Sequence, residues 1–512
     1  MAGTGRILMI GLDAADSGLV DRWIDDGTLP NLRALRGRGL RARLKTTARD
    51  LAGSPWPSFY TGTHPGQHGI YHDYQWRHER MRYAAPSEEW LPARPFWRNL
   101  ESPLRTLAYD VPLVFSCEPF PGWEIAGWAT HDAPVPPSSH PPELLEEVRR
   151  EFGAWPVPPE SYGPSTIDEL LALERLLEEN TQRSCQLALS LLDRPWNLAL
   201  VVFSALHRGG HRLMDRTSVR GPIPPEMGER FDGALKGLYQ ACDTAVGELV
   251  EAAGDATVLV FALHGMMPNP SRVDLLPGML HGVLNEGDST APRAGLLRRA
   301  GEALPLGVRR FLTRRVPGRL QDRVMSRWAT GGLDWNETEA FTLRADLQGY
   351  VRVNLRGREA EGIVDPGARL DRLLERITEG LLSFRDGSTG EALIEDVERT
   401  ARLYPDGARA DRLPDLIVRW KETPAGMHEA VSSPRFGTVR RSTPGGIPNA
   451  RSGNHRGEGW LIAAGPDVPR GARLRESAHI LDLAPTVLER LGARPAGTMT
   501  GRPIRELLGV PA

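Results

Sequence analysis

The chain has 512 residues, with 63 basic against 65 acidic side chains and a formal net charge of −2. That balance excludes a broad nucleic-acid surface, which needs a basic excess to attract phosphates. With 40% hydrophobic and 25% charged residues, the composition is that of a globular enzyme with a sizeable buried core.

The first apolar run, Ile7-Leu8-Met9-Ile10, is too short for a signal segment or a membrane span and leads into an acidic residue. It predicts a cytoplasmic protein that does not engage a membrane, and a buried parallel strand over Arg6–Leu12. Helical spacing follows over Asp16–Ile24 and Asn31–Leu35. Longer helical patterns cover Pro142–Phe152, Ile167–Leu192 and Pro225–Ala252, with strand-like runs at Asn197–Phe203 and Thr257–Leu263. Strands alternating with helices predict an α/β fold, with a mostly parallel central sheet flanked by helices on both faces. Residues 1–285 read as the first part of this core. Residues 286–339 carry Arg293, Arg298, Arg299, Arg309, Arg310, Arg314 and Arg315, and read as a helical insertion or lid, or as a solvated helical face. Residues 340–512 read as the second part of the core. Its clearest strand is Gly349–Leu355, followed by a polar stretch ending in His455, a strand at Gly459–Ala463 and a helix over Ile480–Leu491.

Two residue types narrow the chemistry. Lysine occurs only at Lys45, Lys236 and Lys421, so the basic set is almost all arginine, whose planar fork grips oxyanions. The cysteines Cys117, Cys185 and Cys242 are far apart and form no CxxC pair, which argues against a Cys-rich zinc site and suits a reducing compartment.

In parallel sheets, ligands gather at the carboxyl ends of the strands. Asp13, His207 and His264 each fall at or just past such an end. His207-Arg208-Gly209-Gly210-His211 sets two imidazoles four residues apart, a spacing that faces both toward one metal on a helical turn. The two glycines disfavour a regular helix, so a close-packed turn is expected; the other role for this segment is a polar turn after a strand. Asp13 suits either a hard oxygen ligand or a helix cap. Trp56, Trp76 and Trp128 either stack on a substrate ring or pack in the core.

Four segments resemble the alkaline phosphatase superfamily, and within it the type I phosphodiesterase/nucleotide pyrophosphatase group. They are Ile10-Gly11-Leu12-Asp13-Ala14; Trp56-Pro57-Ser58-Phe59-Tyr60-Thr61-Gly62 with Pro65-Gly66-Gln67-His68-Gly69-Ile70; Leu263-His264-Gly265-Met266; and His455 with Leu461–Pro466 and Asp482–Leu488. The resemblance implies an alkaline-phosphatase-like fold and metal-dependent attack on phosphorus or sulfur. In the family, two zinc-like ions about 4 Å apart do this work. It also implies that Asp13, His207, His211, His264 and His455 are metal ligands.

The chain departs from the family at three positions. His207 stands where the family has an Asp, and Leu263 stands where it has another. Without gaps, the family's nucleophile position falls on Ala52, which cannot attack. Ser54, just before Pro55, is the substitute nucleophile and would cap the next helix, with Thr46 and Thr47 as more remote candidates; otherwise water or a second substrate attacks directly. Three histidines suit zinc with one open position, with manganese or iron as alternatives, and leave a weaker second site at Asp13 and His264. Arg208, Arg456 and Asp73 are expected to contact substrate. The expected substrate is a small phosphate ester (phosphodiester or nucleotide-like), a sulfate ester or an anhydride. A group transferase and an inactive binding member stay open as alternatives. The oligomeric state is left open.

Overall fold

The unbroken apolar run at the start forms strand β1 (Ile7–Leu12), buried along its whole length. A strand covered on both faces needs this continuous pattern and not alternation. The computed structural model describes residues 5–115, 118–130, 136–153, 165–286, 330, 333–425, 429–441, 450–471, 474 and 478–508. After β1 come helix α1 (Ser17–Asp25), strand β2 (Leu40–Leu44) and helix α2 (Pro55–Thr61). Strands β3 (Thr106–Tyr109), β4 (Gly122–Ala126) and β5 (Ser138–His140) follow. Helix α3 (Ile167–Leu192) leads to β6 (Leu198–Phe203), α4 (Ala205–Leu213), α5 (Pro225–Ala253), β7 (Thr257–Ala262) and β8 (Gly265–Pro268). Further on lie β9 (Ala340–Leu343), β10 (Gly349–Val353), α6 (Ala368–Leu382), β11 (Ile394–Arg399) and β12 (Leu416–Trp420). The chain closes with β13 (Gly453–Arg456), β14 (Gly459–Ala464) and α7 (Leu483–Arg490).

Packing divides the chain into two units. The first takes Met1–His68, Ser87–Asn269 and Asn449–Ala512; the second takes Gly69–Pro86 and Pro270–Pro448. In the first, eight strands form one sheet in the order β2-β14-β7-β1-β6-β3-β4-β5. The strands from β7 to β4 run parallel. Strand β14 pairs antiparallel with both neighbours, as β5 does with β4. Side chains alternate across β1. Leu8, Ile10 and Leu12 pack with residues of α1, α3 and α5 on one face. Ile7 and Met9 pack with Trp56 and Phe59 of α2 and with Leu483 and Val487 of α7 on the other. This is the expected mostly parallel sheet with helices on both faces.

The second unit holds a four-stranded antiparallel sheet in the order β9-β10-β12-β11. Val351, Val353, Leu373, Ile377 and Val418 form part of its own apolar core. Residues 340–448 were expected to continue the first core. They pack here because their antiparallel strands bury an apolar face of their own. Most of the expected Arg-rich insertion, residues 287–329 and 331–332, lies outside the described residues. Among the described residues, no helix is long and apolar enough to cross a membrane.

Candidate metal centre

Strands β7, β1 and β6 are neighbours and run parallel. Their carboxyl ends therefore lie side by side, which gathers Asp13 after β1, His207 in the first turn of α4 after β6, and His264 after β7. Strand β13 brings the fourth imidazole, because His455 pairs across from Met266 of β8. Contrary to the expected irregular turn, His207 to His211 lie within a regular helix. The glycines are needed for close approach. A side chain on Gly209 would run into Leu238 of α5, and a Cβ on Gly210 would stand 2.7 Å from Met266 Cγ. Tertiary packing thus overrides the helix cost of glycine.

The rings of His207, His211 and His455 are mutually equidistant, with each pair of centroids 4.9 Å apart. His264 lies 4.7 Å from His455 and 5.8 Å from His207 by the same measure. His211, His264 and His455 are buried, and the side chain of His207 is 12% exposed. The Nδ1 nitrogen of His211 donates to the Gly453 carbonyl at 2.9 Å. That bond fixes the tautomer and leaves the lone pair on Nε2, a buried atom with no hydrogen-bond partner among the described residues. Burial, then the Arg451 cation, then the His455 and His207 imidazoles hold His211 well below the usual histidine range. It is therefore neutral, which is the ligating form.

Asp13 is held by two donors. The indole N–H of Trp56 donates to Oδ1 at 2.9 Å, and His207 Nδ1 donates to Oδ2 at 2.9 Å. Trp56 reaches across β1 at Gly11, where a Cβ would meet its ring at 3.0 Å. His264 Nε2 lies 3.7 Å from Asp13 Oδ1. Two donor triads result, His207–His211–His455 and Asp13–His207–His264, each with ligand atoms within 4.8 Å of one another. Three imidazoles are a donor set that fits zinc.

The remaining candidates make contacts of their own. Arg456 Nη1 donates to Asp16 Oδ2 at 3.0 Å, and Asp16 caps α1 through the Leu19 N–H. Arg208 is half-buried on α4, next to His207. Asp73 belongs to the second unit, where its carboxylate lies 2.5 Å from His72 Nδ1. Ser54 stands at the start of α2 but does not cap it. Its hydroxyl donates to the Leu51 carbonyl and lies 2.7 Å from Thr47 Oγ1. Leu263 is buried in the apolar cluster with Trp56 and Phe261. Trp76 packs against Tyr83, Trp335 and Phe341, and Trp128 packs against Tyr109. All three tryptophans are thus packing residues, and only Trp56 also touches the centre. The sequence reading missed this contact, and it missed the buried Arg451 beside His211. Glycine at 11, two residues before an acidic strand end, is the one signal for a large side chain crossing there.

No curated protein matches the chain in sequence. A family model described as type I phosphodiesterase / nucleotide pyrophosphatase matches residues 7–423. Among solved structures, phosphonoacetate hydrolase from Sinorhizobium meliloti 1021 in complex with phosphonoacetate is similar, at TM-score 0.51 and 13% identity over 96% of each chain. The same enzyme with phosphonoformate gives TM-score 0.50 at 13% identity, again over 96% of each chain. At this identity the likeness is one of fold.

Proposed function

The chain belongs to the type I phosphodiesterase / nucleotide pyrophosphatase family, and from that premise we propose that it is a metal-dependent hydrolase of small phosphate esters. Phosphodiester or nucleotide-like compounds are the leading substrate class, with sulfate esters and anhydrides beside them. The observation that carries the reading is the triad of imidazoles, two of them buried, with His211 Nε2 left without a hydrogen-bond partner among the described residues. His207, His211 and His455 would hold zinc; manganese or iron are the alternatives. When bound, the ion supplies Lewis-acid polarisation of a phosphoryl oxygen.

The chain's own residues orient this site. The Gly453 carbonyl sets the ring of His211, and Asp13, itself held by Trp56, sets the ring of His207. Arg208 and Arg451 are the nearby cations suited to gripping phosphoryl oxygens. Water is the attacking group this arrangement supports, because Ala52 carries no hydroxyl and that of Ser54 is spent on Leu51. In that reaction the water oxygen bonds to phosphorus, the bond from phosphorus to the ester oxygen breaks, and the proton passes to the leaving group.

A second reading rests on the same two residues. Without a side-chain nucleophile, an organic acceptor in place of water would make the protein a transferase. Turnover in ¹⁸O-water tests both readings. A hydrolase places one labelled oxygen in the released phosphate. Turnover that starts only when an alcohol or amine acceptor is added, with no label incorporated, would establish the transferase instead.

A further inference from the structure

We propose that the centre holds a single ion, on His207, His211 and His455, and that Asp13 serves it only as a positioning residue acting through His207. The proposal rests on the metal-dependent reading above. His207 belongs to both donor triads. A neutral imidazole has one lone-pair nitrogen, and the other carries a proton. His207 Nδ1 lies 2.9 Å from Asp13 Oδ2, and a carboxylate only accepts, so the proton is on Nδ1 and the lone pair on Nε2. A ring in this state cannot also give Nδ1 to an ion shared with Asp13 and His264. Such an ion would strip the proton and break the bond to Asp13. The two triads therefore exclude each other.

Three observations select the all-histidine triad. Its rings are equidistant, at 4.9 Å for every pair. His211 is aimed by the Gly453 carbonyl and offers a buried Nε2 with no partner. Asp13, by contrast, is already engaged on both oxygens, by Trp56 and by His207. With His207 committed to the first triad, the other keeps only Asp13 and His264. At 263, beside His264, the chain carries a leucine packed among aromatic rings. A carboxylate bonded to a ligating imidazole orients the ring and raises its basicity, the role assigned here to Asp13.

The test counts metal directly. Full-length protein is stripped with a chelator, titrated with zinc sulfate, and its bound zinc measured by elemental mass spectrometry. The expected result is one ion per chain. Asp13→Asn is expected still to bind one ion, about ten- to hundredfold more weakly, with the melting temperature of the metal-free protein unchanged. His264→Ala is expected still to bind one ion, and His211→Ala none. Two ions in the wild-type protein, or a lost ion in His264→Ala, would overturn the proposal and leave the metal-dependent reading standing. No ion in the wild-type protein would overturn both. Should Asp13→Asn fail to fold, the wild-type count and His264→Ala still decide.

Discussion

His211 in the first unit and His72 in the second are both buried, and their surroundings give them opposite chemistry. Around His211 stand two other imidazoles and the Arg451 cation, with a carbonyl on Nδ1. Among the described residues nothing accepts a proton from Nε2, so the ring stays neutral and its lone pair is available. Burial opposes a charge on His72 as well, but Asp73 at 2.5 Å from Nδ1 and Asp346 at 3.3 Å from Nε2 outweigh it. Together they push His72 up to about 9. One ring is proposed as a ligand, and the other is the cation of a structural ion cluster. A histidine's neighbours, not its burial, decide which it becomes.

Substitutions at the two sites should separate these roles. The largest effect is expected at His211, where His211→Ala should abolish zinc binding and lower phosphodiester hydrolysis by about a thousandfold. Elemental analysis and initial rates on bis(p-nitrophenyl) phosphate check this. Full zinc content in the variant would dissolve the distinction. At His72, His72→Gln should leave zinc content intact and cost about 2 kcal/mol of stability. That is below the roughly 3–5 kcal/mol for breaking a fully buried pair, since both carboxylates keep some water contact.

The pH dependence sharpens the same point. Because the folded pKa of His72 lies above the usual value of about 6.5, its stabilisation is complete below about pH 6.5. It is then lost as pH rises through about 9. The stability difference between wild type and His72→Gln, followed by chemical denaturation, should therefore shrink across that window. A constant difference would show that the ring is not a cation in the fold. Smaller effects are expected around the centre. Trp56→Phe removes one donor from Asp13, a bond to a charged group worth about 1.5–3 kcal/mol, and should weaken zinc binding roughly tenfold. The least effect is expected for Ser54→Ala, whose turnover should match wild type. A complete loss of turnover would instead make Ser54 the nucleophile.

The contrast also marks what the sequence makes legible. Continuous apolar runs such as Ile7–Leu12 announce a doubly covered parallel strand, and a polar residue at their carboxyl end announces a site. Asp13, His207 and His264 were visible on those grounds, and His455 through the family resemblance. The helix carrying His207 was misread, because its glycines are required by Leu238 and Met266, which are distant in sequence. Residues 340–425 read as a second α/β segment, but the extent of the second unit was not legible, because it also takes in Gly69–Pro86, far from Pro270–Pro448 in sequence. Asp73 was grouped with the site because it follows a histidine near the family motif. It pairs with its sequence neighbour His72 in the second unit, and local sequence does not show that Asp346 meets the same ring.

The central claim is that the imidazole triad makes the protein a metal-dependent phosphate-ester hydrolase. The most direct measurement is hydrolysis of bis(p-nitrophenyl) phosphate by chelator-stripped protein, before and after zinc is restored. The account predicts no release of p-nitrophenol from the stripped protein and full recovery with zinc. Undiminished hydrolysis by the folded, metal-free protein would contradict it.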